Sequence, residues 1–226
     1  LINLYKKYGF IEYGAKASSN GEECVLLKDL TYKSTNFINN YPKISLNDNN
    51  KYVLSIYPKY HTKLFPDSIL KNESYNLITD VSYTNSIHKI YVCSMNVKIL
   101  KPGDLILIYR TSDGQGSAKY RSVLTSLCTV EEVKSKHDFN DFNDFYAYSN
   151  QYSIFDRNDL MRCYNRNHCY SIKMTYNATL NKKVINADIR DIMGYTPSYW
   201  GFFGVSDDAF NKIIEKGELN ESFIID

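Results

Sequence analysis

The most constraining stretch of this chain is residues 97–133, VKILKPGDLILIYRTSDGQGSAKYRSVLTSLCTVEEV. Lys101-Pro102-Gly103-Asp104 is a turn signal, Leu105-Ile106-Leu107-Ile108-Tyr109 is a short apolar run, and Ser112-Asp113-Gly114-Gln115-Gly116-Ser117 is a loop. A run of that length suits a strand buried on both faces, and the β-branched alternation of residues 120–130 suits a partner that returns antiparallel. The stretch therefore predicts a hairpin that ends in Tyr109-Arg110-Thr111 and resumes at Tyr120-Arg121-Ser122. Two rings and two guanidinium groups, with Lys119 beside them, are expected to point outward near one end of a sheet. These residues form a candidate binding mouth.

With 226 residues the chain can bury an ordinary core as one domain, or as one domain plus a piece of another. A net charge of +2 supplies no global field for nonspecific attachment to nucleic acid, so any such binding has to come from a local patch. The 21 tyrosines against one tryptophan follow the richness in Asn, Lys and Ile expected of an AT-rich genome, and are not read as a dedicated surface. The five cysteines (Cys24, Cys93, Cys128, Cys163, Cys169) are odd in number and show no Cys-x-x-Cys, which argues against a disulfide framework and for a reducing, cytoplasmic setting. The matches Asn72-Glu73-Ser74, Asn177-Ala178-Thr179 and Asn220-Glu221-Ser222 to the glycosylation pattern are what an Asn-rich chain produces by chance. No apolar run is long enough to cross a bilayer. Because the chain opens at Leu1 inside what reads as a helix, residues upstream are expected to be missing.

In chain order, Tyr5-Lys6-Lys7-Tyr8 suits the cationic last turn of a helix, and Gly9 sits where a left-handed cap is needed. Residues 10–16 alternate as a strand, and residues 23–28 read as a second one. The run Leu4-Tyr5-x-x-Tyr8-Gly9-Phe10 is similar to the last helix and following strands of the GNAT acetyltransferases, over about the first thirty residues. The resemblance implies that residues 1–30 are the C-terminal fragment of such a domain. It also implies that acetyl-CoA binds only with the upstream region present, since that family's phosphate loop precedes this helix. Arg110-x-x-x-Gly114-x-Gly116 is not a substitute: its spacing is one residue too long, and its glycines join strands instead of opening a helix whose amides could hold pyrophosphate.

Residues 31–50 are rich in Asn, Ser and Lys without a sustained period, and read as a linker. Tyr52-Val53-Leu54-Ser55-Ile56 then opens a second unit as a strand, followed by a structured loop with two prolines over residues 57–67 and a short helix or further loop. Residues 85–93 approach the hairpin as another strand. Beyond it come a polar-aromatic tract at residues 137–144, a helix over 156–166, a strand over 170–176 and a further strand over 182–189. The last helix is the clearest: Ser206 is its N-cap, Asp207 and Asp208 occupy the first turn, Phe210, Ile213 and Ile214 make one apolar face, and Gly217 stops it.

Many short strands with two or three helices exclude a regular βαβ sheet and favour a closed or half-closed barrel with helices packed on it. The Lys-Pro-Gly-Asp turn, the Leu105 run and the Val-Glu-Glu-Val ending, together with Tyr60-His61, Leu64-Phe65-Pro66-Asp67 and Tyr109-Arg110, resemble the PUA-like superfamily with its ASCH and EVE branches. The expected fold class is therefore α+β: a PUA-like mixed β-barrel with packed helices over residues 51–226, preceded by the GNAT-like helix and strand pair. The resemblance implies a module that binds RNA or a modified nucleobase at the barrel mouth. An unpaired base needs an aromatic face, hydrogen-bond partners and cations. Tyr109, Arg110, Thr111, Lys119, Tyr120, Arg121, Ser122, Trp200 and Phe202 are the candidate residues, with Trp200 among Tyr199, Gly201, Phe202, Phe203 and Gly204 in a loop that admits close approach.

Catalytic and metal readings are weaker. Cys163, His168 and Cys169 stand close together, but their spacing is not a recurring zinc pattern. His61 with Asp67 could form an acid–base pair, yet Cys93 and Cys128 lie in apolar strands that raise a thiol pKa. Nothing in the sequence names a reaction, no cofactor is expected in this chain, and no membrane partner is indicated. The expected partner is single-stranded nucleic acid or a modified nucleoside. The alternatives are an acetyltransferase whose barrel recruits substrate, or a protein-interaction module of a regulatory or toxin–antitoxin pair.

Overall fold

The computed structural model describes residues 1–68, 70 and 86–225. The helix or loop expected after Asp67 and the Asn72-Glu73-Ser74 match fall largely outside that range. The chain divides into two units, residues 1–48 with 221–226 and residues 49–220.

In the first unit, α1 (Ile2–Lys7) ends at Tyr8, and Gly9 at φ +82 turns the chain into β1 (Ile11–Ser18), which pairs antiparallel with β2 (Gly21–Leu27). A Cβ at Gly9 would stand 2.8 Å from the Asn39 carbonyl oxygen, so both the left-handed backbone and the close approach call for glycine. Residues 31–48 belong to this unit. The Lys28 ammonium donates to the carbonyls of Tyr8, at 2.6 Å, and Tyr41, and the two tyrosine rings pack 5.3 Å apart. Ile44 forms a parallel bridge with Ile224.

The second unit is built on a six-stranded sheet in the order β4-β7-β6-β5-β3-β8. Its strands are β3 (Lys51–Ile56), β4 (His88–Cys93), β5 (Leu105–Arg110), β6 (Val123–Ser135), β7 (Tyr170–Ile185) and β8 (Phe202–Val205). Only β3 and β5 are parallel neighbours; the other pairs are antiparallel. Every residue of β3, β4 and β5 is buried, as the continuous apolar run of β5 between two strands requires. Register shifts at Ile108/Tyr109 and at three places along the β6–β7 ladder bend these long strands, and bulges of this kind curl a sheet toward a barrel. Among the described residues β4 and β8 pair on one side only, so the barrel is half-closed.

The predicted hairpin is present as β5 and β6. Its leading turn is held by Gly103 at φ +92 and by the Asp104 carboxylate, which accepts from the Lys101 amide at 2.8 Å and the Asn50 amide at 3.0 Å. The returning strand starts later than expected. Residues 118–121 form a short helix, α3 (Ala118–Arg121), capped by the Ser117 hydroxyl, so Tyr120 and Arg121 are not on the strand.

Two other expectations are corrected, and the polar-aromatic tract gains a structure. The two-proline segment contains α2 (Pro58–Leu64), because Pro58 occupies the first helical turn, where its missing N–H costs nothing. The tract at 137–144 leads into α4 (Phe142–Ser149), capped by the Asp141 carboxylate. The strand expected over 182–189 is the end of β7 followed by α6 (Asn186–Met193), which Gly194 closes at φ +72. The helix expected at 156–166 is α5 (Arg157–Tyr164), with Asp156 as N-cap, and α7 (Asp207–Lys216) starts at Ser206 as read. Phe145, Leu160, Phe210, Ile213 and Ile214 seat α4, α5 and α7 in the core.

Candidate nucleobase cleft

Because β3 and β5 run parallel, their C-terminal ends emerge on the same side of the sheet, and antiparallel β8 begins there too. Past β3 the chain presents Tyr57 and then, on the first turn of α2, Lys59 and Tyr60; past β5 it presents Thr111; before β8 it presents Tyr199, Trp200 and Gly201. The curl of the sheet brings β4 round to face β3, and the Tyr91 hydroxyl donates to the Ser55 carbonyl at 3.5 Å. α5 closes the far wall with Asp159, Arg162 and Cys163, and Arg166 lies just beyond it. These groups enclose a cleft of about 850 Å³, within the range of small-molecule sites.

The cleft's floor is aromatic. Tyr60 packs on Phe155 at 4.6 Å and Phe155 on Tyr91 at 5.6 Å. Burial pushes the Tyr91 hydroxyl well above the usual phenol range. The Tyr60 hydroxyl donates to Asp159 at 3.3 Å, and the Asp159 carboxylate also holds Arg162. The Arg166 guanidinium donates to the Ser94 hydroxyl at 2.9 Å, and the Lys59 ammonium stands 4.4 Å from the Tyr60 ring centre. Three cations and one carboxylate therefore line the same cleft.

The aromatic lip is fixed from behind. Trp200 stacks on Tyr109 at 5.4 Å and 29°, meets Phe203 edge-on at 5.5 Å, and has the Arg190 guanidinium 5.2 Å from its ring centre. Its backbone is pinned to β3, where the Ser55 amide donates to the Gly201 carbonyl at 2.8 Å and the Ser55 hydroxyl to the Trp200 carbonyl. A Cβ at Gly201 would lie 2.2 Å from the Tyr199 ring, so only glycine lets that exposed ring fold back over the chain. The Thr111 hydroxyl is buried beside the cleft wall and has no hydrogen-bond partner among the described residues.

Of the residues expected at the mouth, Thr111 and Trp200 line this cleft. Tyr109 is 3% exposed and serves as the platform under Trp200, its hydroxyl accepting from the Asn186 amide at 2.7 Å. Arg110 does not face outward: it is 2% exposed and donates toward the Thr111 carbonyl at 3.4 Å. A strand buried on both faces carries its terminal arginine inward with it. Arg121 is held by Asp113, with Nε 2.6 Å from Oδ1, and that ion pair, first through its hydrogen bond, brings the Asp113 carboxyl well below its usual range. Lys119 and Tyr120 are exposed on α3, Ser122 is buried, and Phe202 lies on β8 stacked against Tyr52 at 5.1 Å rather than in a loop. Sequence reasoning passed over Tyr57, Lys59, Tyr60, Arg162, Arg166 and Tyr199. The signal available was local: a proline-led helix start, the cationic end of a helix, and the ring next to the single tryptophan.

No family model and no curated protein matches the chain. Among solved structures, ASCH from Zymomonas mobilis aligns with a TM-score of 0.53 at 8% identity, over 74% of this chain and 96% of that chain. A single-residue variant of the same protein aligns at 0.51, also with 8% identity, over 74% and 96%. Human THYN1 in complex with 5-methylcytosine containing DNA aligns at 0.43 with 8% identity, over 76% and 99%, a likeness too loose to carry an argument. The shared feature is the fold: a mixed α+β, PUA-like arrangement of the ASCH kind.

Proposed function

We propose that the second unit binds single-stranded nucleic acid or a modified nucleoside by taking one unstacked base into the cleft between the Tyr57 and Tyr60 side and the Tyr199 and Trp200 lip. The observation that carries this reading is the composition of the cleft: exposed ring faces over a floor of packed rings, one unpartnered hydroxyl at Thr111, and Lys59, Arg162 and Arg166 in the lining. A π-face, an edge partner and phosphate-neutralising cations are what an unpaired nucleotide needs. The PUA-like fold agrees with this reading.

Trp200 is the only tryptophan, so its emission reports directly on the cleft. Titration with an oligonucleotide and nucleoside panel is expected to change that emission saturably. A flat response across the panel from folded protein would transfer the proposal to a protein-interaction module. Attachment to a GNAT-like acetyltransferase is a separate proposal, supported by the order of helix, glycine turn and antiparallel strand pair in the first unit. On that reading the chain alone gives no heat with acetyl-CoA, and a chain extended upstream of Leu1 does.

A further inference from the structure

The cleft wall holds a feature that base binding does not use. Cys163, in the last turn of α5, and Cys169, one residue before β7, place their sulfurs 2.9 Å apart, with the Cys169 thiol donating to Cys163. Cys163 is half-buried and lines the cleft, while Cys169 is covered. One residue holds the intervening turn: the Lys136 ammonium donates to the carbonyls of Tyr164 at 3.2 Å and Arg166 at 2.6 Å, and the Lys136 amide donates to the Cys169 carbonyl at 2.9 Å. A disulfide needs sulfurs about 2.05 Å apart, so closing the pair takes a movement of less than about one ångström.

We infer that Cys163 and Cys169 form a reversible dithiol–disulfide site, with Cys163 as the thiolate that meets a peroxide entering through the cleft and Cys169 as the resolving thiol. In the first step the Cys163 sulfur attacks one peroxide oxygen and the O–O bond breaks, giving a sulfenic acid and hydroxide. Hydroxide takes the Cys169 proton as water. The Cys169 sulfur then attacks the Cys163 sulfur, the S–O bond breaks, and a second hydroxide leaves as the S–S bond forms. Two electrons pass from the sulfurs to the peroxide oxygens.

The surroundings favour this division of labour. The hydrogen bond from Cys169, followed by the charges of Arg166 and Lys136, lowers the Cys163 pKa against the opposing effect of burial. The same hydrogen bond, followed by burial, raises that of Cys169. Low-pKa, accessible thiols beside a resolving cysteine are the ones that oxidise reversibly. The other thiols are poorly placed: burial pushes Cys93 up to about 12 and raises Cys128 further, and Cys24 is raised by burial and by Glu12. Cys163 lines the proposed base cleft together with Arg162 and Arg166, but the site stands on sulfur geometry and not on base binding.

The test treats the full reduced chain with one equivalent of hydrogen peroxide, then unfolds, alkylates and peptide-maps it. The expected product is a peptide linked through Cys163 and Cys169, lighter by two hydrogen atoms and restored by dithiothreitol, with Cys24, Cys93 and Cys128 alkylated. Cys169→Ser, verified as folded by near-ultraviolet dichroism, should stop at a Cys163 sulfenic acid that dimedone traps, formed about tenfold faster than any product at Cys24. Phenylarsine oxide, which needs two adjacent thiols, should bind the reduced wild type with one-to-one stoichiometry. Recovery of both cysteines as free thiols, a sulfenic acid persisting in the wild type, or a link from Cys163 to Cys93 would each overturn the inference. None of these outcomes bears on the Trp200 titration, so the two proposals fail separately.

Discussion

At the scale of single residues, the cleft separates side chains that chemistry alone would group together. Tyr57 is exposed on the cleft, whereas Arg121 is tied to Asp113 away from it. Tyr57→Ala is therefore expected to weaken base binding by about 1–3 kcal/mol with little change in salt dependence, as loss of one stacking face does. Arg121→Ala should leave both affinity and salt slope unchanged; a fall in slope of roughly 0.7 would place a phosphate at α3 instead. His61 makes a different prediction. Its ring is fully buried, with Nε2 2.8 Å from the Thr125 hydroxyl, and burial, then the charges of Arg110 and Lys183, lowers its pKa to about 3. A histidine neutral in the folded state takes up its proton only on unfolding. Its contribution to stability is thus intact above about pH 6.5 and is lost as pH falls from there toward 3. Melting temperature followed between pH 7 and 5 should fall less steeply for His61→Gln than for the wild type.

At the scale of elements, the helix ends show how far local chemistry reaches. The Ser206 hydroxyl accepts from the Ala209 amide at 3.3 Å, and Ser206→Ala should cost α7 about 1 kcal/mol in a urea titration. Gly217 stops this helix as expected, but it stays right-handed at φ −75, and the left-handed residue is Glu218 at φ +51. A Cβ at Gly217 would meet both terminal carbons of Leu180 at 3.0 Å, so the glycine there answers close packing rather than backbone handedness. Glu218→Gly should consequently stabilise the protein by roughly 0.5 kcal/mol, the left-handed penalty less the entropy of glycine. Its side chain reaches Lys182 only at 3.8 Å between two exposed groups, an ion pair whose loss costs little.

At the scale of the whole molecule, residues 49–220 contain the six-stranded sheet and the helices seated on it. That segment should unfold in a single cooperative transition when expressed alone, because its apolar strands are covered by its own helices. A broad, low-enthalpy calorimetric transition would show that residues 1–48 and 221–226 complete its core. Among the described residues no helix is long and apolar enough to cross a membrane.

What the sequence alone determined is what short-range chemistry decides. The Lys101-Pro102-Gly103-Asp104 turn, the buried β5 run, the Gly9 reversal and the Ser206 cap depend on φ preferences, apolar period and side chains within reach of their own backbone. These were legible residue by residue, and their order favoured a half-closed barrel with packed helices, while the PUA-like class rested on a resemblance. The tertiary structure alone decided which residues share the cleft. Its lining comes from five separated parts of the second unit, joined because β3 and β5 are parallel and because bulges curl β6 and β7 until β4 faces β3. The same burial turned Arg110 inward and left Tyr57 out. Sulfur proximity was open to sequence only as spacing: six positions separate Cys163 from Cys169, and it is the turn between α5 and β7, held by Lys136, that points one thiol at the other. Directions of that kind arise from packing between elements, and no local propensity carries them.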